Sequence, residues 1–236
     1  MNGFLVIDKP AGITSHDVVD RARRILGIRK IGHLGTLDPL GVGVLVLAVG
    51  KATKAVRYFV DDEKEYTTTV KLGVITDTQD LDGTVVEERP VSVTREQFEH
   101  VLERFLGQIE QIPPMVSAKK VGGQRLYKLH RQGIEVKREP KPVTIREIDL
   151  REFAPPHVTF HVRCSKGTYI RTLCADIGEV LGCGGAMAWL RRTKSGFFTI
   201  NEAVTLDALE TMSADEIYTL LMPTERAIRK RGVKPA

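Results

Sequence analysis

One carboxylate, that of Asp38, lies in a loop of small residues within the stretch GHLGTLDPLGVGVL. A loop that only had to be soluble would carry several interchangeable polar residues, and this loop does not. Pro39 biases the preceding aspartate towards an extended backbone, and the flanking glycines allow another molecule to come close to the chain. A carboxylate in this setting can act as a nucleophile or assist a proton transfer. The stretch therefore raises the question of which chemistry this single carboxylate serves.

A strongly basic segment, Lys119 to Arg146, is the second candidate functional feature. It contains nine Lys or Arg against two Glu, a net charge of +7, whereas the whole chain carries +5. Tyr127 and His130 lie among these cations, and the glycines and prolines of the segment indicate a protruding arm rather than core. Cations neutralise phosphates and rings stack on bases, so the composition favours a nucleic-acid contact over a solvated charged loop.

Two other kinds of site can be tested against the glycine-rich stretch. A phosphate-binding loop needs G-x-x-x-x-G-K-[ST], but the glycine spacing differs here, and Ala52 follows Lys51 where a hydroxyl is required. This kind of site is excluded. A hydrolase with paired carboxylates needs a second acid, and the candidates Asp8, Asp77 and Asp80 are distant in sequence. That possibility stays open without support.

Signals for metals, disulfides and membranes are weak in this sequence. The three cysteines form no C-x-x-C pair, and the six histidines form no H-E-x-x-H motif. The longest apolar run, Val42 to Val49, is too short to span a bilayer, and Asp8 and Lys9 interrupt the N-terminus where a signal peptide needs its apolar core. We therefore expect reduced thiols, no metal site, no membrane association and a cytoplasmic protein.

The overall composition is that of a globular protein with an anionic partner. The chain has 236 residues, of which 42% are hydrophobic and 28% charged, enough for a core in one domain or in one domain with a small insertion. The net charge of +5 and the isoelectric point near 9.1 favour a partner such as nucleic acid.

Buried strands and a capped helix are predicted on either side of the Asp38 loop. The stretch GFLVID has the composition of a buried strand, and Ser15 is placed to cap the helix that follows, which Gly27 ends. After the loop, VLVLAV is too apolar to be solvated on either face. This second strand is expected near the centre of a sheet.

Strands and helices interleave along the rest of the chain. EYTTTVKLGV and TVVEE, joined by the turn-forming stretch TDTQDLDG, predict a hairpin with an elaborate tip. Capping boxes predict helix starts at Thr94 and Ser213. The remaining predicted elements are a short helix around Ala52 to Val60, strands at TIREIDLREF and HVTFHVRC, and a helix at IRTLCADIGEVLG. The hairpins favour an α+β fold with a mixed, largely antiparallel central sheet flanked by helices.

Six stretches of the sequence resemble motifs of the TruB family of pseudouridine synthases and occur in the family's order. Several independent motifs in one order are more specific than a lone glycine pattern. The resemblance runs from about residue 2 to about residue 200. The stretches are LVIDKPAGITSHDVV, GHLGTLDPLGVGVLVLAVGKATK, KEYTTTVKLG, TDTQDLDG, GTYIRTLCADIGEVLGCGG and LRRTKSGFF.

The resemblance implies the isomerisation of uridine to pseudouridine in RNA. For the bacterial branch the target is the uridine at position 55 in the T-loop of tRNA, and no metal or organic cofactor is needed. The aspartate of the G-T-L-D-P motif, here Asp38, is then the catalytic residue. The sequence leaves open whether this carboxylate attacks the base, attacks the sugar carbon or assists abstraction of a sugar proton.

The same motif matching implies roles for other residues around the target base. Tyr66 is expected to stack on the base and Arg171 to pair with Asp38, with Tyr169 lining the pocket. Asp80 is a weaker candidate for the charge network around the arginine. The alternatives are a core aromatic for Tyr66, a structural ion pair for Arg171 and a turn-capping aspartate for Asp80.

Further family positions concern RNA binding. A stacked uridine must be flipped out of its loop, and His33 matches the position that fills the vacated space; the alternative is a loop histidine bonded to backbone. Lys9 belongs to a D-K-P motif, where we expect a supporting role beside the site or a plain strand-end turn. The insertion at about 111–141 matches a thumb-like arm. Its candidate RNA-binding residues are Lys119, Arg125, Tyr127, Lys128 and Arg131.

The sequence favours one catalytic domain, 1–236, with no separate C-terminal RNA-binding domain. The expected partner is the T-arm of tRNA, and no protein partner is expected. Two alternatives remain. One is a guide-RNA-dependent enzyme of the dyskerin type, against which TDTQDLDG and the long arm argue. The other is a non-catalytic RNA-binding module, against which the complete set of Asp38, Tyr66 and Arg171 argues.

Overall fold

The computed structural model describes residues 1–117, 120–126, 129 and 132–232. The chain divides into two compact units. Unit 1 comprises Met1–Tyr66 and Leu190–Ala236, and unit 2 comprises Thr67–Trp189. Within the described ranges, no helix has the length and apolar character needed to cross a bilayer, and no group of three or more His, Cys, Asp or Glu is arranged to hold a metal ion.

The elements of the first half of the chain alternate between strands and helices. They are β1 Gly3–Lys9, α1 Ser15–Leu26, β2 Ile31–His33, β3 Val42–Val49, a 3₁₀ helix Gly50–Tyr58, β4 Lys64–Leu72, β5 Val74–Thr76, β6 Val85–Glu88, α2 Arg95–Glu103 and β7 Gly107–Gln111.

The second half begins with two short strands of the insertion and ends in three short helices. The elements are β8 Lys120–Val121, β9 Gln124–Arg125, β10 Lys141–Ala154, β11 His157–Cys164, α3 Ile170–Val180, β12 Gly185–Ser195, β13 Phe198–Thr199, a 3₁₀ helix Ile200–Glu202, β14 Val204–Thr205, α4 Leu206–Thr211, α5 Ala214–Leu220 and α6 Thr224–Lys230.

The strands of each unit lie side by side in a defined order. Unit 1 contains the order β14-β1-β3-β12, with β2 beside β3 and β13 beside β12, and unit 2 contains the order β4-β11-β10-β7. The pairs β1–β3, β2–β3, β10–β11, β7–β10 and β12–β13 are antiparallel, whereas β1–β14 and β3–β12 are parallel. The predicted α+β class, with a largely antiparallel sheet flanked by helices, is confirmed.

The core of unit 1 lies on both faces of β1 and β3. Alternate residues of a strand point to opposite faces, so one set, which includes Leu45 and Leu47, packs with α1, α4 and α5. The other set, which includes Val44 and Val46, packs with the 3₁₀ helix Gly50–Tyr58 and with α6. Strand β3 is therefore buried on both sides, as its uninterrupted apolar sequence predicts.

The cap of α1 differs from the sequence-based prediction. Thr14, not Ser15, is the N-cap: its hydroxyl accepts from the amide of Asp17, whose carboxylate accepts from the amide of Thr14 at 2.8 Å. The prediction of Ser15 was wrong because two hydroxyl residues are adjacent and only Thr14 has an acid three residues later. The predicted end is confirmed, since Gly27 adopts a left-handed conformation with φ of 65°.

The predicted hairpin of unit 2 is divided by a glycine. Gly73, with φ of 84°, ends β4 and starts the separate strand β5, and it is β5, not β4, that pairs with β6. Glycine adopts this left-handed conformation without the strain that a side chain would cause. The predicted capping boxes at Thr94 and Ser213 are both present.

The described part of the insertion has a small apolar cluster of its own. Met115, Leu126 and Leu129 are buried there, with Val136 packed against them. The strands β8 and β9 pair with each other in a separate two-stranded sheet. The insertion begins and ends beside paired residues of the main sheet, because Gln111 of β7 lies opposite Lys141 of β10.

Candidate active site

The side chain of Lys9, the last residue of β1, fixes the backbone on the C-terminal side of Asp38. The side chain is fully buried. Its ammonium Nζ donates hydrogen bonds to the carbonyl oxygens of Pro10 at 2.8 Å, Pro39 at 3.1 Å and Gly41 at 2.7 Å. Two of these acceptors lie one and three residues after Asp38. The cation therefore acts on the loop through its backbone.

The backbone at Asp38 itself is held on both sides. The amide of Gly41 donates to the carbonyl of Asp38 at 3.0 Å, which closes a tight bend around Pro39. On the other side, the hydroxyl of Ser15 donates to the carbonyl of Leu37 at 2.7 Å and accepts from its amide at 2.8 Å. Since Ser15 is the first residue of α1, the helix start fixes the residue before the carboxylate.

Arg192 of β12 holds the beginning of the same loop. Its side chain is buried, with 2% of the residue surface exposed. The guanidinium donates to the carbonyl oxygens of Val44 at 2.7 Å, Thr36 at 3.1 Å and Gly35 at 3.2 Å. Three side chains from three elements, Lys9, Ser15 and Arg192, thus bind the loop, and Asp38 itself is half-buried between these attachments.

Burial determines the protonation of two basic groups in unit 1. Burial lowers the pKa of the Lys9 ammonium to about 8. The negative charge of Asp38 raises this pKa, and the positive charge of Arg192 lowers it further. Burial also lowers the pKa of His33 below its ordinary value of 6.5, and the positive charge of Arg192 adds to this effect. His33, at the end of β2, is therefore a neutral imidazole at neutral pH.

Tyr66 lies on the buried side of β4. The burial of this strand alternates from residue to residue, and Tyr66 keeps 8% of its surface exposed. Its position allows either of the roles considered from sequence, a core aromatic or a ring that meets the target base. The predicted contact with the base stays a prediction.

Arg171 forms a buried ion pair with Asp80 in unit 2. Both residues are at most 5% exposed, and Nη1 of Arg171 donates to Oδ2 of Asp80 at 3.1 Å. The guanidinium also donates to the carbonyl of Thr78 at 3.3 Å and, through Nη2, to the carbonyl of Val116 at 2.7 Å. The pairing of Arg171 with Asp38 that the resemblance implies stays a prediction.

The turn between β5 and β6 is shaped to present Asp80. The hydroxyl of Thr78 donates to Oδ1 of Asp80 at 2.6 Å, and that of Thr76 donates to its carbonyl at 2.7 Å. Gln79 has a left-handed backbone with φ of 66°, and its side-chain carbonyl accepts from Thr172 at 2.8 Å. The turn is thus bound to α3 through Arg171 and Thr172, both in the first turn of that helix.

The remaining predicted residues are placed only in part. Tyr169 is the half-buried residue that precedes α3, where the side chain of Gln111 binds its backbone. The backbone of Arg125 lies in β9. Lys119, Tyr127, Lys128 and Arg131 lie outside the described residues.

Sequence reasoning missed four groups that hold the Asp38 loop or the Arg171–Asp80 pair and the start of α3. They are the hydroxyl of Ser15, the guanidinium of Arg192, the side-chain amide of Gln111 and the carbonyl of Val116. Each acts on a backbone or side chain far away in sequence, 156 residues away in the contact between Arg192 and Thr36. Ser15 and Arg192 lie in stretches that resemble family motifs, whereas Gln111 and Val116 lie outside those stretches.

Two family models match consecutive parts of the chain. The TruB family pseudouridylate synthase N-terminal domain matches residues 23–170, and the tRNA pseudouridylate synthase B C-terminal domain matches residues 171–229. Among solved structures, a chain in the crystal structure of a Cbf5–Nop10–Gar1 complex is 32% identical, with a TM-score of 0.75. The alignment covers 96% of this chain and 61% of that one, less than two thirds of its length.

Curated relatives are more similar in sequence. The tRNA pseudouridine synthase B of Syntrophotalea carbinolica is 47% identical over 98% of this chain, and that of an Azoarcus species is 50% identical over 97%. The protein of the same name from Pseudomonas aeruginosa is 49% identical over 97%. In all three cases the match covers 76% of the relative. By these matches, the chain belongs to the TruB family of pseudouridylate synthases.

Proposed function

We propose that this chain isomerises uridine to pseudouridine at position 55 in the T-loop of tRNA. The observation that carries the proposal is the loop of Asp38, whose backbone is bound by Lys9, Ser15 and Arg192 while the carboxylate stays partly exposed. A carboxylate on an anchored backbone is suited to covalent or acid–base catalysis. Relatives that are 47–50% identical and named tRNA pseudouridine synthase B supply the substrate class.

The reaction balances without any co-reactant. The bond between N1 of uracil and C1′ of the sugar breaks, the base turns, and a bond forms between C5 and C1′. C5 then loses a proton and N1 gains one. Asp38 can attack the base or the sugar carbon, or assist proton abstraction from the sugar. The reaction involves no net oxidation, and the proposal includes neither a metal nor an organic cofactor.

Other residues have supporting roles in this proposal. Tyr66 stacks on the flipped uracil, and Tyr169 lines the pocket. Arg171, oriented by Asp80, supplies the positive charge that pairs with the catalytic carboxylate. His33 fills the space that the uridine leaves, and a neutral imidazole suits this role because it can stack without carrying a charge into the base stack.

The RNA partner is proposed to be the T-arm stem-loop, bound by the insertion 111–141. The net charge of +7 between Lys119 and Arg146 supports this, because each phosphate contact by a cation releases a counterion. Candidate contacts come from Lys119, Arg125 and the neighbouring Tyr127, Lys128 and Arg131. We further propose that the protein acts in the cytoplasm as one catalytic domain and without a protein partner.

Dependence on a guide RNA is the less favoured function. Chains in two solved Cbf5 complexes and in an H/ACA RNP are 28–32% identical to this chain, whereas the curated tRNA pseudouridine synthase B relatives reach 45–51%. An RNA-binding module without activity is also disfavoured, because binding alone would not need the set of Asp38, Tyr66 and Arg171.

The test is to incubate the purified chain with unmodified tRNA transcript, without guide RNA and with metal chelated, and to measure pseudouridine by mass spectrometry. We expect product at position 55 with the wild type, none with Asp38→Asn, and none in a transcript with cytidine at that position. A folded wild-type protein that binds the tRNA without converting it would contradict the proposal. Product that appears only after addition of a guide RNA would instead support the dyskerin type.

A further inference from the structure

Gln111 is a buried polar residue at the base of the insertion, and it has no role in the function proposed above. It is the last residue of β7 and is 1% exposed. Its side-chain amide faces the backbone of Tyr169. Oε1 of Gln111 accepts from the amide of Tyr169 at 2.9 Å, and Nε2 donates to the carbonyl of Tyr169 at 3.2 Å. The two bonds imitate the pairing of two neighbouring strands.

Tyr169 is the residue from which α3 starts. Its backbone is extended, with φ of −97° and ψ of 109°, and its side chain makes no capping hydrogen bond. Its carbonyl accepts from the amide of Leu173 at 3.0 Å, the first bond of the helix. The first turn of a helix has amides without intrahelical partners, so its orientation depends on such outside contacts. Gln111 supplies two of them.

Arg171 lies in this first turn and binds the insertion a second time. Its Nη2 donates to the carbonyl of Val116, five residues after Gln111, and its Nη1 donates to Asp80. The base of the insertion therefore contacts the start of α3 at two points, once through the backbone of Tyr169 and once through the guanidinium. Movement of the insertion on RNA would be transmitted to Arg171 by both contacts.

We propose that Gln111 is a positioning residue of the isomerisation, which holds the first turn of α3 so that Arg171 keeps its orientation while the insertion binds RNA. This inference rests on the proposed function. Glutamine fits the position because it supplies one acceptor and one donor at the same reach. Asparagine is one methylene shorter, glutamate lacks the donor when ionised, and methionine has neither group.

The experiment compares Gln111→Met and Gln111→Glu with the wild type, with Gln108→Met and Gln108→Glu as controls on an exposed residue of the same strand. Single-turnover rates and the tRNA dissociation constant are measured between about pH 5.5 and pH 8. A protonated glutamate regains a donor hydroxyl, and burial favours that protonated form. In Gln111→Glu, the pH therefore controls whether the side chain can donate the hydrogen bond to the carbonyl of Tyr169.

We expect Gln111→Met to lower the single-turnover rate on the order of 10- to 100-fold, as for a misplaced catalytic group, with little change in the dissociation constant. The rate of Gln111→Glu, taken relative to the wild type, should rise as the pH falls, and that of Gln111→Met should stay flat. Equal rates for wild type and Gln111→Met would overturn the inference. So would a loss in Gln111→Glu that does not depend on pH.

A second measurement is independent of catalysis. Hydrogen exchange in a peptide covering 169–173 should be faster in Gln111→Met than in the wild type at the same pH, because an amide that loses its acceptor opens more easily. Unchanged exchange there would overturn the inference even if the activity falls. If wild-type protein makes no pseudouridine, the proposed function fails, whereas the exchange result still decides whether Gln111 holds the start of α3.

Discussion

The ammonium of Lys9 and the carbonyl of Gly41 are joined by a hydrogen bond of 2.7 Å across 32 positions of sequence. This bond connects the end of β1 with the residue that closes the bend after Asp38. A buried ammonium requires acceptors, and here backbone carbonyls rather than a carboxylate supply them. The cation beside the catalytic candidate therefore fixes the loop through its backbone.

Lys9→Met should remove this attachment without changing the size of the buried side chain much. We expect the free energy of unfolding to fall by about 2 kcal/mol, because the loop carbonyls lose a charged donor. The single-turnover rate should fall on the order of 100-fold through displacement of Asp38. The matched control is Lys30→Met, a change at an exposed lysine, which should leave both quantities unaltered. Equal effects of the two substitutions would contradict the role given to Lys9.

Arg192→Lys tests whether the loop needs the planar guanidinium. A lysine keeps the charge, but as a compact group it cannot reach three carbonyls spread over Gly35, Thr36 and Val44. We expect the rate to fall at least about tenfold and the melting temperature to fall with it.

Arg191→Lys is the control for this substitution. Arg191 is the neighbouring residue, is one-third exposed and makes one ion pair with Asp8. Loss of that pair should cost about 0–1 kcal/mol of stability and little activity. If Arg191→Lys reduced the rate as much as Arg192→Lys, the three carbonyl contacts would not explain the effect.

Much of the fold follows from local patterns in the sequence. The apolar run of β3 predicts a strand buried on both faces, and the Thr94–Gln97 pair predicts the start of α2; both are confirmed. The predicted family and fold class are also confirmed, and so is the predicted enzyme class, a tRNA pseudouridine synthase. The predictions for β3 and α2 are correct because burial and capping depend on residues that lie close together in the chain.

The attachments of the candidate site could not be predicted in the same way. Nothing local shows that Arg192 and not Arg191 is buried, since this depends on which face of β12 meets the loop. In the sequence, Gln111 likewise appears only as the first residue of the insertion, and its partner lies 58 residues away. A family motif contains Arg192 without saying what it binds, and none of the six motif stretches contains Gln111. The direct partners of Asp38 and the residues of the arm stay predictions.

Acid should destabilise the fold through His33. Burial lowers the pKa of this imidazole below 6.5, so the unfolded chain binds the proton more readily than the folded chain. The contribution of the neutral His33 imidazole to the free energy of unfolding is complete above pH 6.5 and is lost as the pH falls below that value. His33→Gln should therefore flatten the decline of unfolding free energy below pH 6.5 in urea titrations. His157→Gln, at an exposed position, should keep the wild-type slope; equal slopes for all three proteins would contradict this assignment.

Asp176 of α3 should have the opposite effect on stability. Burial raises the pKa of its carboxyl from 3.8 to about 6, so the folded chain binds the proton more readily between these values. The stabilising contribution is present below pH 3.8 and is lost as the pH rises to 6. Asp176→Asn, which is always neutral, should raise the free energy of unfolding at pH 7 by about 1–2 kcal/mol, less than the full shift because the group is partly exposed.

The same substitution should make no difference near pH 4, where the wild-type carboxyl is protonated in the folded state. Chemical denaturation at both pH values measures this, and Asp82→Asn provides an exposed carboxylate for comparison. A stabilisation by Asp176→Asn that is equal at pH 4 and pH 7 would show that packing or helix propensity, not ionisation, is responsible. Destabilisation at pH 7 would mean that the ionised carboxylate has a partner that stabilises it.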